Sequence, residues 1–369
     1  MRRVLVFFLG VVGVVAASVS VLVLNPQLAA RMFFGTDSGP VDLRLSRSYR
    51  VPAADPKTKA VVAAATHFLG SLDDNQRQAA TYAFDDNVQR SNWSNFPEGM
   101  VPRGGLQLRA LSDSQRANLQ TLLAELLSED GVRNIDHQLA AEDTLISGDR
   151  LGVMKYGSEF YCVAFLGTPS TSEPWMFQFG GHHLAINVTV FGPDVSFSPM
   201  LTGGQPLHMS HEGEDIYIAR KEVVAAQAFM DSLTEDQKKV AIRADRTIGL
   251  LLGPGGYGRV VEPEGIKGSN LTDVQKARLL GVITARLGFI NDDDFAVKME
   301  TVAAGIDDTY FGWWGPQDAL GAAYFRVTGP SLVLEYSPQN GADGPGHAHS
   351  IYRNPRNDYG SAWIGVAAG

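Results

Sequence analysis

The chain has 369 residues, 44% hydrophobic and 19% charged, a globular balance long enough for one large or two ordinary domains. A net charge of −9 and a pI near 5.4, with no basic run, exclude nucleic acid as an expected partner, because nothing offers a phosphate backbone a cationic face. One cysteine, Cys162, excludes an intrachain disulfide, a CxxC pair and a zinc finger; in the apolar run Phe160 to Phe165 it reads as a buried small hydrophobe.

Arg2 and Arg3 precede an uncharged apolar run from Val4 to Leu24, about the ~20 residues a membrane-crossing helix needs. Residues 1–25 are therefore expected to form a signal anchor that places the remainder outside the cytoplasm, in the cell envelope or periplasm, tethered or released after cleavage. Residues 26–56, punctuated by Pro26, Gly35, Gly39, Pro40, Pro52 and Pro56, read as a linker, and ordered structure is expected to begin near Lys57. Ala60 to Leu72 is Ala-rich with Val61, Ala65, Phe68 and Leu69 at helical spacing. It runs into Asp73 and Gln76, a capping-box pattern in which the N-cap side chain and the third helical residue satisfy each other's backbone N–H. The device recurs at Ser112/Gln115, Thr234/Gln237 and Thr272/Gln275, the first of these followed by Leu119, Leu122, Leu123 and Leu126 at helical spacing.

These starts repeat with a nearly constant shift. Ser71-Leu72 and Gln76 recur as Ser232-Leu233 and Gln237, and Gly105-Leu106 and Gln115 as Gly265-Ile266 and Gln275. The expectation is an α+β fold built by internal duplication of a unit in which helices precede antiparallel strands. The units span 57–220 and 221–369 and pack as one body. Strand pattern follows the helices in both: Phe160 to Phe165 then Trp175 to Phe179 in the first, Tyr324 to Val327 then Leu332 to Tyr336 in the second. Phe191 to Glu222 reads as a long surface connection. Gly253-Pro254-Gly255-Gly256-Tyr257-Gly258 spells GxGxxG, but it follows no clear strand and opens no clear helix, so it is a glycine-rich connector and no nucleotide cofactor is expected. GxSxG, Walker and SxxK sequences are absent.

The chemistry gathers on histidines. Gly180-Gly181-His182-His183 opens an alternating run in which Leu184, Ile186, Val188 and Val190 share one face. His347-Ala348-His349 lies behind a second glycine-rich segment and is expected at the matching place of the second unit, so that the two pairs could meet across a pseudo-twofold axis. Residues i and i+2 of a strand share a face, so His347 and His349 can bind one ion. With His182, His183 and Glu335 they make a donor set for a divalent transition metal, zinc, iron and copper all being compatible. Alternatively these histidines donate to carbonyls and cap strand ends. Arg353 and Asp358 follow: either the arginine fork orients an anionic substrate beside the metal, with Asp358 as its catalytic neighbour, or the two pair to lock a turn. His208, His211 and Glu212 make a weaker cluster, better read as a polar loop.

The run Trp175, Gln178, Gly180 to Leu184, then Ser198-Pro199, Gly203 and Pro206, then Tyr324, Gly329-Pro330, Glu335-Tyr336, and finally His347, His349, Arg353 and Asn357 to Gly360 resembles the bacterial domain-of-unknown-function family numbered 3500. The resemblance covers roughly 57–360 and implies an exported protein of this architecture, with no activity attached. The functional expectation from the residues is a metal-dependent enzyme acting on a small, anionic molecule. The alternative is a non-catalytic ligand-binding or scaffolding protein of the envelope. The distance from His183 to the His347/His349 pair separates the metal reading from its absence.

Overall fold

The computed structural model describes residues 49–339 and 346–364. The proposed N-terminal anchor lies outside the described residues; within them, no helix is long and apolar enough to cross a membrane.

The protein is α+β. Helices α1 (Pro56–Gly70) and α2 (Asp74–Ala80) are followed by α3 (Asp113–Leu126) and α4 (Glu129–Thr144), and then by strands β1 (Cys162–Leu166), β2 (Trp175–Gly181), β3 (Leu184–Phe191) and β4 (Met200–Gly204). The same order returns with α5 (Arg220–Asp231), α6 (Glu235–Ala241), α7 (Asp273–Leu287) and α8 (Asp292–Ala304), then β5 (Tyr310–Trp314), β6 (Tyr324–Gly329), β7 (Leu332–Pro338) and β8 (Ala348–Arg353). All four expected capping boxes are present, at Asp73, Ser112, Thr234 and Thr272, each side chain accepting from the third helical N–H. The four boxes also interlock. Gln76 donates to Gln115 at 3.1 Å and Gln237 to Gln275 at 3.1 Å, so the start of one helix is pinned to the start of another.

One mixed sheet runs through both halves in the order β1-β2-β3-β4-β8-β7-β6-β5, with Thr81–Tyr82 added in parallel beyond β1 and Ile242–Ala244 in parallel beyond β5. Its centre is the antiparallel pair β4–β8, where Thr202 faces Ser350. One face is apolar and covered by the helices: Phe165, Phe177, Ile186 and Val188 pack with Phe68, Leu119 and Leu123 in one core that continues through Phe311, Phe325 and Leu334 to Leu279 and Ile283. The other face alternates in polar residues, Gln178, Asn187, Glu335, His349 and Arg353, and is closed over by the loops that carry Trp93, Leu250 and Tyr257. Buried polar groups need partners, so this second face is a hydrogen-bonded layer.

The stretch 191–222 departs from the surface connection expected of it. It contains Asp194–Ser196, the buried central strand β4, and an exposed two-stranded hairpin, His208–His211 with Glu214–Tyr217. Gly203 and Gly204 lie in this central strand, which is flanked on both sides. A Cβ on Gly203 would stand 2.5 Å from Ala348 O and 3.1 Å from His349 Cδ2, so only glycine admits the neighbouring strand and its imidazole.

Candidate metal centre

His182 and His183 form the two-residue turn of the β2–β3 hairpin, between the paired Gly181 and Leu184. His183 has φ +63°, a conformation that non-glycine residues rarely adopt and that aims its ring back over the end of the sheet. Two contacts hold the turn. Tyr161 hydroxyl donates to His182 O, its ring filling the space where a Cβ on Gly181 would sit, and Arg103 Nη2 donates to Gly181 O at 3.0 Å. One step beyond the last β3–β4 pair, Leu184 with Thr202, the turn lies level with Gly203, which on its other side faces His349. Position 183, Gly203 and His349 thus make a row across three strands, and the missing side chain in the middle lets the outer rings converge.

The convergence is close. His183 Nε2 lies 3.0 Å from His347 Nε2, and His347 Nε2 lies 3.3 Å from His349 Nε2. For metal–nitrogen bonds of about 2.0–2.1 Å, tetrahedral ligands stand about 3.3–3.4 Å apart, so the three nitrogens already outline one face of a coordination polyhedron. Burial holds His183 well below the usual histidine range, reinforced by the like charge His182, His349 and His347 would carry; burial acts the same way on His349, with His347 and His182 next. The neutral imidazole is the metal-ligating form.

His183 also turns its second nitrogen to a carboxylate. Its Nδ1 is 3.9 Å from Glu142 Oε2, and the same oxygen meets His182 Nδ1 at 2.9 Å, with the His182 and His183 rings stacked at 3.6 Å. Glu142 projects from α4, is 2% exposed, and also accepts from Gly157 N at 3.4 Å. Two groups in the described residues can therefore hold an ion, His183/His347/His349 and Glu142/His182/His183, sharing His183. The first has the tighter ligand geometry; the second is the carboxylate–histidine arrangement that orients a ligand from behind. Asn95 completes the surroundings, its Nδ2 3.5 Å from His349 Nε2, on a segment fixed by Arg103, which donates to the carbonyls of Ser94 and Phe96. A cleft lined by Asn95, Leu250, Gly253, Arg259 and Gln339 opens onto His349.

The other expected site residues lie elsewhere, each for a physical reason. Glu335 is on the same sheet face as His349, but its oxygens accept from Leu251 N at 2.7 Å, Leu252 N at 2.8 Å and Tyr324 hydroxyl at 2.7 Å, which ties it to the loop at 251–252. Arg353 donates to Asp358 Oδ2 at 2.5 Å and from Nε to Leu252 O at 2.8 Å, both residues buried, with Trp93 stacked against the guanidinium at 5.5 Å. Together these residues clamp the glycine-rich connector that follows Leu250, and that connector forms a wall of the cleft. Gln178 belongs to a buried amide network with Asn187, at 2.9 Å. His208 pairs with Asp215 at 2.5 Å on the exposed hairpin, outside both groups. Cys162 is buried and its thiol is pushed up to about 12, mainly by burial.

The two histidine pairs do not stand at matching places. One makes the β2–β3 turn, whose counterpart between β6 and β7 is Pro330-Ser331; the other begins at the edge of β8, whose central partner β4 offers Gly203. Glu142, Arg103, Tyr161 and Asn95 were not singled out by the sequence. Glu142 sits in Ala140-Ala141-Glu142-Asp143, where nothing local separates a buried acid from a solvated one.

The family model for a protein of unknown function (DUF3500) matches residues 54–361. The chain belongs to this family. No curated protein and no solved structure matches it. The family match contains every histidine of both groups together with Glu142, so the metal-capable cluster lies within the portion that defines the family.

Proposed function

We propose that this protein is a metal-dependent enzyme of the cell envelope, with one divalent transition metal ion held by His183, His347 and His349. The observation that carries the reading is the convergence of three Nε2 atoms at 3.0 and 3.3 Å, with burial keeping two of the rings neutral. A cation between the three nitrogens would take a lone pair from each neutral imidazole. Glu142 lies behind His183, at the opposite nitrogen, so it orients that ring and cannot be a fourth ligand to the same ion. Three protein ligands with a cleft beside them is the pattern of a catalytic site, since structural zinc sites are closed by four.

A bound ion would act as a Lewis acid on a substrate oxygen or lower the pKa of water there. The protein's own contribution is to hold the rings rigidly, to place Asn95 beside His349 as a hydrogen-bond donor, and to offer Arg259 in the cleft for an anionic group. Arg259 takes the orienting role that Arg353, enclosed by Asp358 and Trp93, cannot. The repeated order of helices and strands supports descent from a duplicated unit of which only one half kept the histidine turn. Arg2, Arg3 and the apolar run to Leu24 support export.

Elemental analysis of the purified protein tests the reading. One equivalent of metal in the native chain, lost in a His347→Ala/His349→Ala variant, is expected, together with turnover of small anionic substrates that a chelator abolishes. Sub-stoichiometric metal, unchanged in the variant, would sink it. Stoichiometric metal without turnover points to the non-catalytic ligand-binding alternative.

A further inference from the structure

A second cleft, of about 390 Å³, lies between α8, the β6–β7 turn and the end of β8. Its place in the second half corresponds to that of the histidine turn and α4 in the first, but its chemistry differs. Lys298 of α8 enters it half-buried. Its Nζ donates to Ser331 O at 2.8 Å and stands 5.4 Å from the Tyr352 ring, and among the described residues no carboxylate pairs with it. Burial lowers the amine to about 8 with no acidic neighbour opposing the shift. Tyr352, which lines the same cleft, is 3% exposed, and its hydroxyl makes no hydrogen bond to any described residue. A hydroxyl that faces the cleft and an ammonium with two unused N–H donors beside it together offer donors to an anion.

The remaining wall limits that anion. Asp294 is bound by Lys57 and by Asn291 Nδ2 at 2.7 Å, and Asp55 caps α1 through Thr58 N at 2.7 Å, so neither is available. Asp194 and Asp293 remain, facing the cleft without an ion pair, and burial raises the Asp194 carboxyl. A dianion would meet two carboxylates with like charge; a single carboxylate whose other end carries a hydroxyl or amino group would meet Lys298 and Tyr352 at one end and acceptors at the other.

We propose that this cleft is a second small-molecule site, which takes a small monocarboxylate of the hydroxy- or amino-acid type, its carboxylate held by Lys298 Nζ and the Tyr352 hydroxyl. The site is independent of the metal centre and keeps its ligand when that centre is emptied.

The test is isothermal titration of the full chain with lactate, alanine and inorganic phosphate, in the presence of a chelator. Lactate or alanine is expected to bind, with phosphate at least tenfold weaker. Lys298→Met, which keeps the apolar stem, should weaken the carboxylate roughly ten- to hundredfold, the range for loss of a charge-assisted hydrogen bond. Tyr352→Phe should weaken it severalfold and leaves the packing intact if the lysine variant folds poorly. The His347→Ala/His349→Ala variant should bind as the native chain does. Absence of binding by all three probes, tighter binding of phosphate than of the carboxylates, or affinities untouched by both Lys298→Met and Tyr352→Phe would overturn the proposal.

Discussion

Replacing His349 by alanine separates a metal centre from a set of strand-end histidines. A metal present at a thousand times its Kd stabilises the folded state by about 4 kcal/mol, because it binds the native arrangement and not the unfolded chain. For a chain of this size that corresponds to a rise in Tm of roughly 8 °C, at about 2 °C per kcal/mol. With His349 gone, His183 and His347 remain at 3.0 Å as a two-nitrogen site. Loss even of a residue that only orients a ligand weakens metal binding about 10–100-fold, so loss of one of three ligands should reach at least the upper figure. At the same free metal concentration a hundredfold loss removes about 2.7 kcal/mol of the stabilisation, leaving a metal-induced shift of roughly 2–3 °C. The ring is 6% exposed, so the substitution also leaves a cavity that lowers Tm by itself. The informative quantity is therefore the difference between scans with zinc and with chelator, taken within each protein by calorimetry. Equal metal-induced shifts in the native chain and the variant, or none in either, would refute the reasoning.

Gly203→Ala should act on the same site without touching a ligand: its Cβ would meet Ala348 O at 2.5 Å and His349 Cδ2 at 3.1 Å, so a loss of about 1–3 kcal/mol in denaturant unfolding should accompany weakened metal binding. Asp358→Ala should do the reverse, leaving the Arg353 guanidinium buried and uncompensated at a cost of about 3–5 kcal/mol in urea unfolding while metal content stays at one equivalent per folded chain. The apo protein should lose stability as pH falls. His183 and His349 are held below their unfolded pKa of about 6.5, so below that pH the unfolded chain binds protons that the folded chain refuses. Their contribution is fully present above pH ~6.5 and declines on the order of 1 kcal/mol per pH unit for each as the pH drops. The slope of stability between pH 6.5 and 5.5 should be shallower in His183→Ala/His349→Ala than in the native chain; identical slopes would contradict the assignment.

What the sequence disclosed depended on how local each signal was. A capping box is written within four residues, so Asp73, Ser112, Thr234 and Thr272 could all be read directly, and with them the repeated order of helices. The histidines announced themselves by type and by the glycines before them, but their meeting has a different cause from the one expected. They converge because a tight turn with positive φ at His183 reaches over Gly203 to a neighbouring central strand, a relation set by sheet order and invisible along the chain. The same distance in topology separates Glu335, Arg353 and Asp358 from the three imidazoles. Glu335 and Arg353 lie on the same sheet face as His349, yet strand rise carries them to where loop backbone groups claim them, and Asp358 lies past the strand in the Asp358–Gly360 turn, paired with Arg353. Glu142 was out of reach for the opposite reason: an acid on a helix face looks solvated until the turn that buries it is known.

Anomalous diffraction from crystals of the metal-loaded protein tests the central claim most directly. The account predicts a single strong peak about 2.0–2.1 Å from the Nε2 atoms of His183, His347 and His349, with Glu142 hydrogen-bonded behind. A peak on Glu142 and His182 instead, or no peak within reach of the three imidazoles, would contradict it.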